Sequence, residues 1–282
     1  MTISRRQFLQ TSAVLAAGSR TVFAQSGLKL GVTDWNLRQT GRISAVELAA
    51  SIGFQGVEVS LGQKPVDGKL PLDNADIQAQ YLAAAKQHNI ALAGTCLDIL
   101  HVNFLKKDKL ALQWIADGIP ITQTLNARVM LLPMFGADAG ALNTQAEKDY
   151  VGDALREVAP AAEKAGVILG LENTVSAEDN VRIMERSRSS AVLVYYDVGN
   201  STRNGHNVIP EIRWLGAKRI GQFHLKDLGY LGEGKIDFAG ILAAIKDIGF
   251  AGFGNLETST PSKTDVAGDM RRNLAYLRNL MT

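Results

Sequence analysis

Four short apolar runs in the second half of the chain each end in one ionisable side chain. Leu171 precedes Glu172, Tyr196 precedes Asp197, Phe223 precedes His224 and Leu256 precedes Glu257. Three carboxylates and one imidazole form an oxygen-rich donor set with a single nitrogen. That set suits one Mn²⁺, Mg²⁺ or Co²⁺ ion; Zn²⁺ prefers donors richer in thiolate and imidazole. Any one of the four alone reads as a strand-end cap or an ion-pair partner. Four at the same place in successive runs point to a shared ion. Three carboxylates around a divalent ion leave a formal site charge of −1, so a neutral polyhydroxy molecule meets little repulsion there.

These side chains meet only if the runs that carry them are neighbours. Strands are predicted at Leu28–Val32, Gly56–Val59, Ile90–Thr95, Val129–Leu132, Val167–Leu171, Ala191–Tyr196, Ile220–His224 and Gly252–Leu256. Most are short and nearly continuous in apolar character, as parallel strands covered on both faces are. Helical patterns separate them. Ser44 and Glu47 have the spacing of a capping box. Ile77, Tyr81 and Ala84 share a helical face that Asn89 terminates, and Met270, Leu274, Leu277 and Met281 form the same kind of stripe. Eight strand–helix units in about 250 residues fit an α/β fold, the (β/α)₈ TIM barrel. A doubly wound sheet uses the same units, but no G-x-G-x-x-G follows the first strand. In a barrel, successive strand ends are adjacent at the C-terminal mouth, where Gly136–Gln145 forms a candidate rim loop.

Composition narrows the function classes. The chain has 282 residues, 46% hydrophobic and 21% charged, with 30 Lys+Arg against 28 Asp+Glu. A net charge of +2 gives no basic stripe for nucleic acid. Cys96 is the single cysteine, so neither an internal disulfide nor a cysteine zinc cluster can form. No apolar run reaches membrane-spanning length. The N-terminus joins Arg5-Arg6-Gln7-Phe8-Leu9 to a short apolar stretch and the small-residue site Val22-Phe23-Ala24. That order predicts a signal peptide over 1–24 and a single barrel domain over 25–282. The paired arginines resemble a twin-arginine export signal, which implies engagement of that machinery and a periplasmic or secreted bacterial protein without a membrane anchor. Residues 1–24 hold three arginines and no acid, so the net charge falls from +2 to −1 on their removal. Export in a folded, loaded state would protect a weakly bound ion from exchange with Cu²⁺ or Zn²⁺ outside.

The C-terminal half carries Leu171-Glu172-Asn173, Asp197-Val198-Gly199-Asn200, His224-Leu225-Lys226-Asp227, Gly232-Glu233-Gly234 with Asp237-Phe238, and Leu256-Glu257. Together these resemble the xylose-isomerase-like sugar (phosphate) isomerase/epimerase family, with its tagatose/psicose 3-epimerases, hydroxypyruvate isomerases and inosose dehydratase-like members. The resemblance implies that Glu172, Asp197, His224 and Glu257 bind one divalent metal. It also implies that Glu172 and Glu257 are the acid/base pair flanking a substrate carbon. Removing a proton beside a carbonyl creates negative charge that a metal stabilises. Returning the proton on the other face gives epimerisation, moving it to the adjacent carbon gives isomerisation, and expelling a β leaving group gives a lyase. The resemblance leaves a homo-oligomer open.

The remaining candidates concern substrate. Asn200 stands where the ketose epimerases resemble a D-x-x-H pattern, and residues 225–230 lack their arginine. Lys226 is a candidate holder of a substrate oxygen or a solvated loop cation. Glu58 either orients substrate or forms an internal salt bridge. Trp35 either stacks on a sugar ring or packs in the core. His101 and His206 are candidate mouth residues, and Glu178 is either a substrate contact or part of a helix start with Ser176 and Asp179. His88 reads as a helix C-terminal residue and Cys96 as a small buried apolar one. The leading expectation is a metal-dependent sugar isomerase/epimerase acting on a small carbohydrate. The alternative is an exported lyase or hydrolase-like enzyme acting on oxidised sugars such as 3-keto-glycosides. A barrel endonuclease needs more histidines than the four present, and a metal-free sugar-binding protein is the remaining class.

Overall fold

The computed structural model describes residues 27–136 and 140–282. The expected signal peptide over 1–24 and residues 137–139 of the expected rim loop lie outside the described residues. Eight parallel strands close in sequence order: β1 (Leu28–Thr33), β2 (Gly56–Ser60), β3 (Ala91–Cys96), β4 (Val129–Pro133), β5 (Ile168–Glu172), β6 (Val192–Asp197), β7 (Ile220–Leu225) and β8 (Gly252–Leu256). β8 returns to β1 over Leu28↔Gly252 to Val32↔Leu256. This is the expected (β/α)₈ barrel, and closure leaves no strand edge unpaired.

Helices wrap the strands: α1 (Ser44–Ile52), α2 (Ala75–Gln87), α3 (Ala111–Thr124), α4 (Gln145–Ala165), α5 (Ala177–Ser187), α6 (Val198–Arg203), α7 (Val208–Leu215), α8 (Phe238–Asp247) and α9 (Val266–Met281). A 3₁₀ turn over Asp98–His101 follows β3. Their ends follow local chemistry. Thr144 and Glu147 form a reciprocal capping box on α4, whose chain leaves through left-handed Gly166. Asn74 caps α2, and Asn89 beyond it is left-handed at φ 50°. The capping box expected at Ser44 does not form: α1 has Ile43 at its N-cap, and the Ser44 hydroxyl donates instead to Gln39. Met270, Leu274 and Leu277 pack inward from α9, whereas Met281 at its frayed end is exposed.

The strand seams position the ionisable ends. Pro133 is in register with Glu172, Asp197 with His224, and His224 with Asn255. The β6–β7 register shifts between Val194 and Tyr195, moving Asp197 from a partnership with Phe223 to one with His224. A second shift lies between β2 and β3, where Val57 pairs with Leu92 and Glu58 with Gly94, so that Ala93 is skipped. One-residue slips exchange the two faces of a strand, so such irregularities decide which side chains reach the barrel interior. Among the described residues, no helix is long and apolar enough to cross a membrane.

Candidate active site

β5, β6, β7 and β8 deliver Glu172, Asp197, His224 and Glu257 to one arc of the C-terminal mouth. One ligand atom from each lies within 4.8 Å of the other three. His224 Nδ1 is 3.0 Å from Glu172 Oε1, 3.4 Å from Glu257 Oε2 and 3.9 Å from Asp197 Oδ2. Glu172, Asp197 and His224 are buried, while the Glu257 side chain keeps 18% exposure. The structure thus brings together all four residues expected from the sequence.

The imidazole is oriented from behind. His224 Nε2 lies 3.0 Å from Glu58 Oε2, an oxygen that also accepts from Tyr195 Oη at 2.7 Å and Asn255 Nδ2 at 2.8 Å. With its Nε2–H held by Glu58, the ring presents Nδ1 to the carboxylates. Carboxylates behind metal-binding histidines set the tautomer in this way. Gly31 makes room for this support, because a Cβ there would fall 2.1 Å from Asn255 Oδ1. Glu58 therefore lies fully buried beneath the cluster, bonded to His224, and does not line the cavity. Tyr195 and Asn255 escaped the sequence reading. Both sit inside the strands with no flanking motif.

A second cation enters the cluster from the front. Lys226 Nζ lies 2.9 Å from Asp197 Oδ2 and also contacts Glu257 Oε2. Its stem packs over Gly199, where a Cβ would come within 2.9 Å of Lys226 Cγ. Trp35 Nε1 donates to Glu257 Oε1 at 3.0 Å, and the Trp35 ring meets His224 edge-on. Trp35 therefore aims a carboxylate as well as walling the cavity.

Burial and charge oppose one another here. Burial drives the Glu172 carboxyl upward, against the pull of His224. Burial pushes Asp197 the same way, but Lys226, His224 and the Asn200 amide outweigh it and hold the group low. Burial favours neutral His224, yet Glu257, Glu172 and Glu58 together raise it well above its ordinary value. The donor types, the convergence and the oriented Nδ1 fit a divalent ion.

The cavity above the cluster has a volume of about 670 Å³ and is lined by Trp35, Ser60, Asp98, His101, Phe135, Glu172, Lys226 and Glu257, among others. His101 thus reaches the mouth, tilted on Phe135 at 5.3 Å between ring centres. Two other candidates do not take part in the way the sequence suggested. The Asn200 side chain turns to Arg203 and does not line the cavity, while its backbone N–H donates to Asp197 Oδ1 at 2.8 Å. Glu178 sits exposed in the first turn of α5, behind the Ser176 cap that accepts from Asp179 N. His206 bonds the Thr174 carbonyl, His88 ends α2, and Cys96 is buried at the cavity wall.

The family model described as "Xylose isomerase-like TIM barrel" matches residues 46–280. The chain belongs to this family. Within the xylose isomerase-like barrels, one relative is the 2-epi-5-epi-valiolone 7-phosphate 2-epimerase of Actinoplanes sp., 26% identical over 204 residues, covering 71% of this chain and 72% of that protein. The D-psicose 3-epimerase structure from Clostridium cellulolyticum H10 superposes with a TM-score of 0.76 at 18% identity, covering 90% of this chain and 99% of that one. The 3-keto-D-glucoside 4-epimerase structure from E. coli gives a TM-score of 0.70 at 18% identity, covering 89% and 99%. These structures share the xylose isomerase-like fold with this chain.

Proposed function

We propose that this protein is a divalent-metal-dependent sugar isomerase/epimerase that moves a proton next to a carbonyl. The observation that carries this reading is the convergence of four ligand atoms beneath a cavity onto which Glu172 and Glu257 both open. Glu172, Asp197, His224 through Nδ1, and Glu257 would hold Mn²⁺, Mg²⁺ or Co²⁺. When bound, the ion supplies positive charge beside the substrate oxygen that becomes negative as the proton leaves.

The chain's own residues do the rest. Glu172 and Glu257 stand on β5 and β8, with β6 and β7 between them, so a substrate seated over Asp197 and His224 has a carboxylate on either side. One takes the proton and the other returns it. Trp35 fixes the orientation of Glu257 through Oε1. Lys226 balances the acid cluster and donates hydrogen bonds to a substrate oxygen. The relatives named as epimerases support this class of reaction.

A lyase acting on oxidised sugars is the second reading, favoured by the unequal surroundings of the two bases. Glu172 is enclosed against His224, while Glu257 remains partly open beside Lys226. A single base at Glu257 with Lys226 near a leaving oxygen suits elimination. Residues 1–24 belong to this proposal as a twin-arginine leader that exports the loaded enzyme.

The test is incubation of Mn²⁺-loaded protein with free ketoses and 3-keto-glycosides in D₂O. Deuterium at one carbon next to the carbonyl supports the proposal, and identifies the exchanged position whatever the net reaction. No exchange into any of these sugars, with metal bound, would overturn it.

A further inference from the structure

The metal cluster stands on the β5–β8 side of the barrel mouth. Ser60, Asp98, His101 and Phe135 line the same cavity from the β2–β4 side, together with Gln63 and Lys64. We infer that this side is a second sugar subsite, and that the substrate is a glycoside whose second, hydroxylated ring rests between Asp98 and the His101–Phe135 wall. The inference rests on the proposed function and names the substrate class of the same site.

Size is the first argument. Pockets of about 300–1,000 Å³ enclose drug-sized ligands, and about 670 Å³ is far more than one pyranose ring fills. The chemistry of the lining is the second. Asp98 is held by Ser60 Oγ, which donates to Asp98 Oδ2 at 2.6 Å, yet it lines the cavity from the 3₁₀ turn after β3. Ser60 Oγ also accepts from Gly62 N at 3.1 Å, so the serine is fixed on both sides and its partner carboxyl is preset. A buried polar group retained in a cavity wall, and fixed there by hydrogen bonds, is a ready partner for a ligand hydroxyl.

The aromatic wall is the third argument. His101 and Phe135 present adjoining ring surfaces beside that carboxyl. Burial holds the imidazole below its ordinary value, against the opposing charges of Asp98 and Glu257. A neutral ring beside a phenyl ring offers the apolar surface that the C–H face of a pyranose covers, while Asp98 takes its hydroxyl edge.

The experiment compares methyl 3-keto-glucopyranoside with the 3-keto derivatives of sucrose, trehalose and maltose. At least one disaccharide should show a kcat/KM for deuterium exchange 10-fold or more above the methyl glycoside. His101→Ala and Asp98→Asn should each lower that disaccharide's kcat/KM at least 10-fold more than they lower the methyl glycoside's. His101 is only half-buried, so its variant serves even if Asp98→Asn folds poorly. Exchange that is equal for all four sugars, or variants that lower all four equally, would overturn the second subsite while leaving the proposed function intact. If neither these sugars nor free ketoses exchange, the proposed function fails instead. Calorimetric binding of sucrose, trehalose and maltose against methyl glucoside to the Mn²⁺-loaded protein then decides the subsite, which requires tighter binding of a disaccharide that is lost in His101→Ala.

Discussion

His224 and Glu58 stand 166 residues apart in sequence, and 3.0 Å separates Nε2 of one from Oε2 of the other inside the barrel. Both side chains are fully buried. This pair decides which face of the imidazole meets the carboxylates, and it is itself anchored by Tyr195 and Asn255.

Glu58→Gln replaces an acceptor of three hydrogen bonds with a group that also donates. Supporting partners of this kind change metal affinity by roughly 10–100-fold. Mn²⁺ titration by calorimetry should show a loss in that range, with the barrel still folded by circular dichroism. Unchanged affinity would make Glu58 a packing residue only.

Lys226→Met removes an ammonium from between Asp197 and Glu257. The cluster then loses a resident cation that opposes entry of a divalent ion, so Mn²⁺ should bind at least as tightly as in the wild type. In contrast, kcat/KM should fall by about 10-fold or more, the scale of a lost charge-assisted hydrogen bond of roughly 1.5–3 kcal/mol. Weaker Mn²⁺ binding with turnover preserved would remove Lys226 from substrate handling.

Away from the cluster, Asp34 governs a pH dependence. Burial pushes its carboxyl up to about 8, although the Gly41 and Ser60 amides pull the other way. Between its ordinary value near 3.8 and about 8, the folded protein keeps a proton that the unfolded chain releases. Stability from this group is therefore full at low pH and falls as pH rises through that window. Asp34→Asn keeps an acceptor for both amides without titrating. Wild-type Tm should decline relative to the variant from pH 5 to pH 8. Parallel curves would contradict this assignment.

Much of this was legible in the sequence, for physical reasons. Buried parallel strands must be apolar throughout, so all eight stand out, and an ionisable residue directly after such a run is conspicuous. Glu172, Asp197, His224 and Glu257 could be named on that basis. Tyr195 and Asn255, within the strands, could not. Glu58 stood out as an acid in β2, but its bonds to His224, Tyr195 and Asn255 join strands far apart in the sequence. Asn200 was misplaced for a related reason. Its spacing from Asp197 matched a substrate-facing histidine pattern, yet its backbone N–H donates to Asp197, the N-cap of α6, and its side chain turns to Arg203. Ser44 failed as a cap because Gln39, five residues earlier in the loop, takes its hydroxyl proton.

Replacing both Arg5 and Arg6 with Lys should leave the precursor in the cytoplasm if residues 1–24 are a twin-arginine leader. The mature wild-type protein should begin near Gln25. Cell fractionation with N-terminal sequencing checks both points, and undiminished export of the double variant would reject the route.

The central claim is that Glu172 and Glu257 move the proton as well as hold the ion, and deuterium exchange at saturating Mn²⁺ tests it most directly. Glu172→Gln and Glu257→Gln each keep the side-chain shape and a carbonyl oxygen. Each should lower exchange by about 10²–10⁴-fold, the scale of a lost general base, if the two carboxylates work from opposite sides. A one-base elimination would leave one of the variants active. Full exchange in both variants, with metal demonstrably bound, would contradict the account and leave these carboxylates as ligands alone.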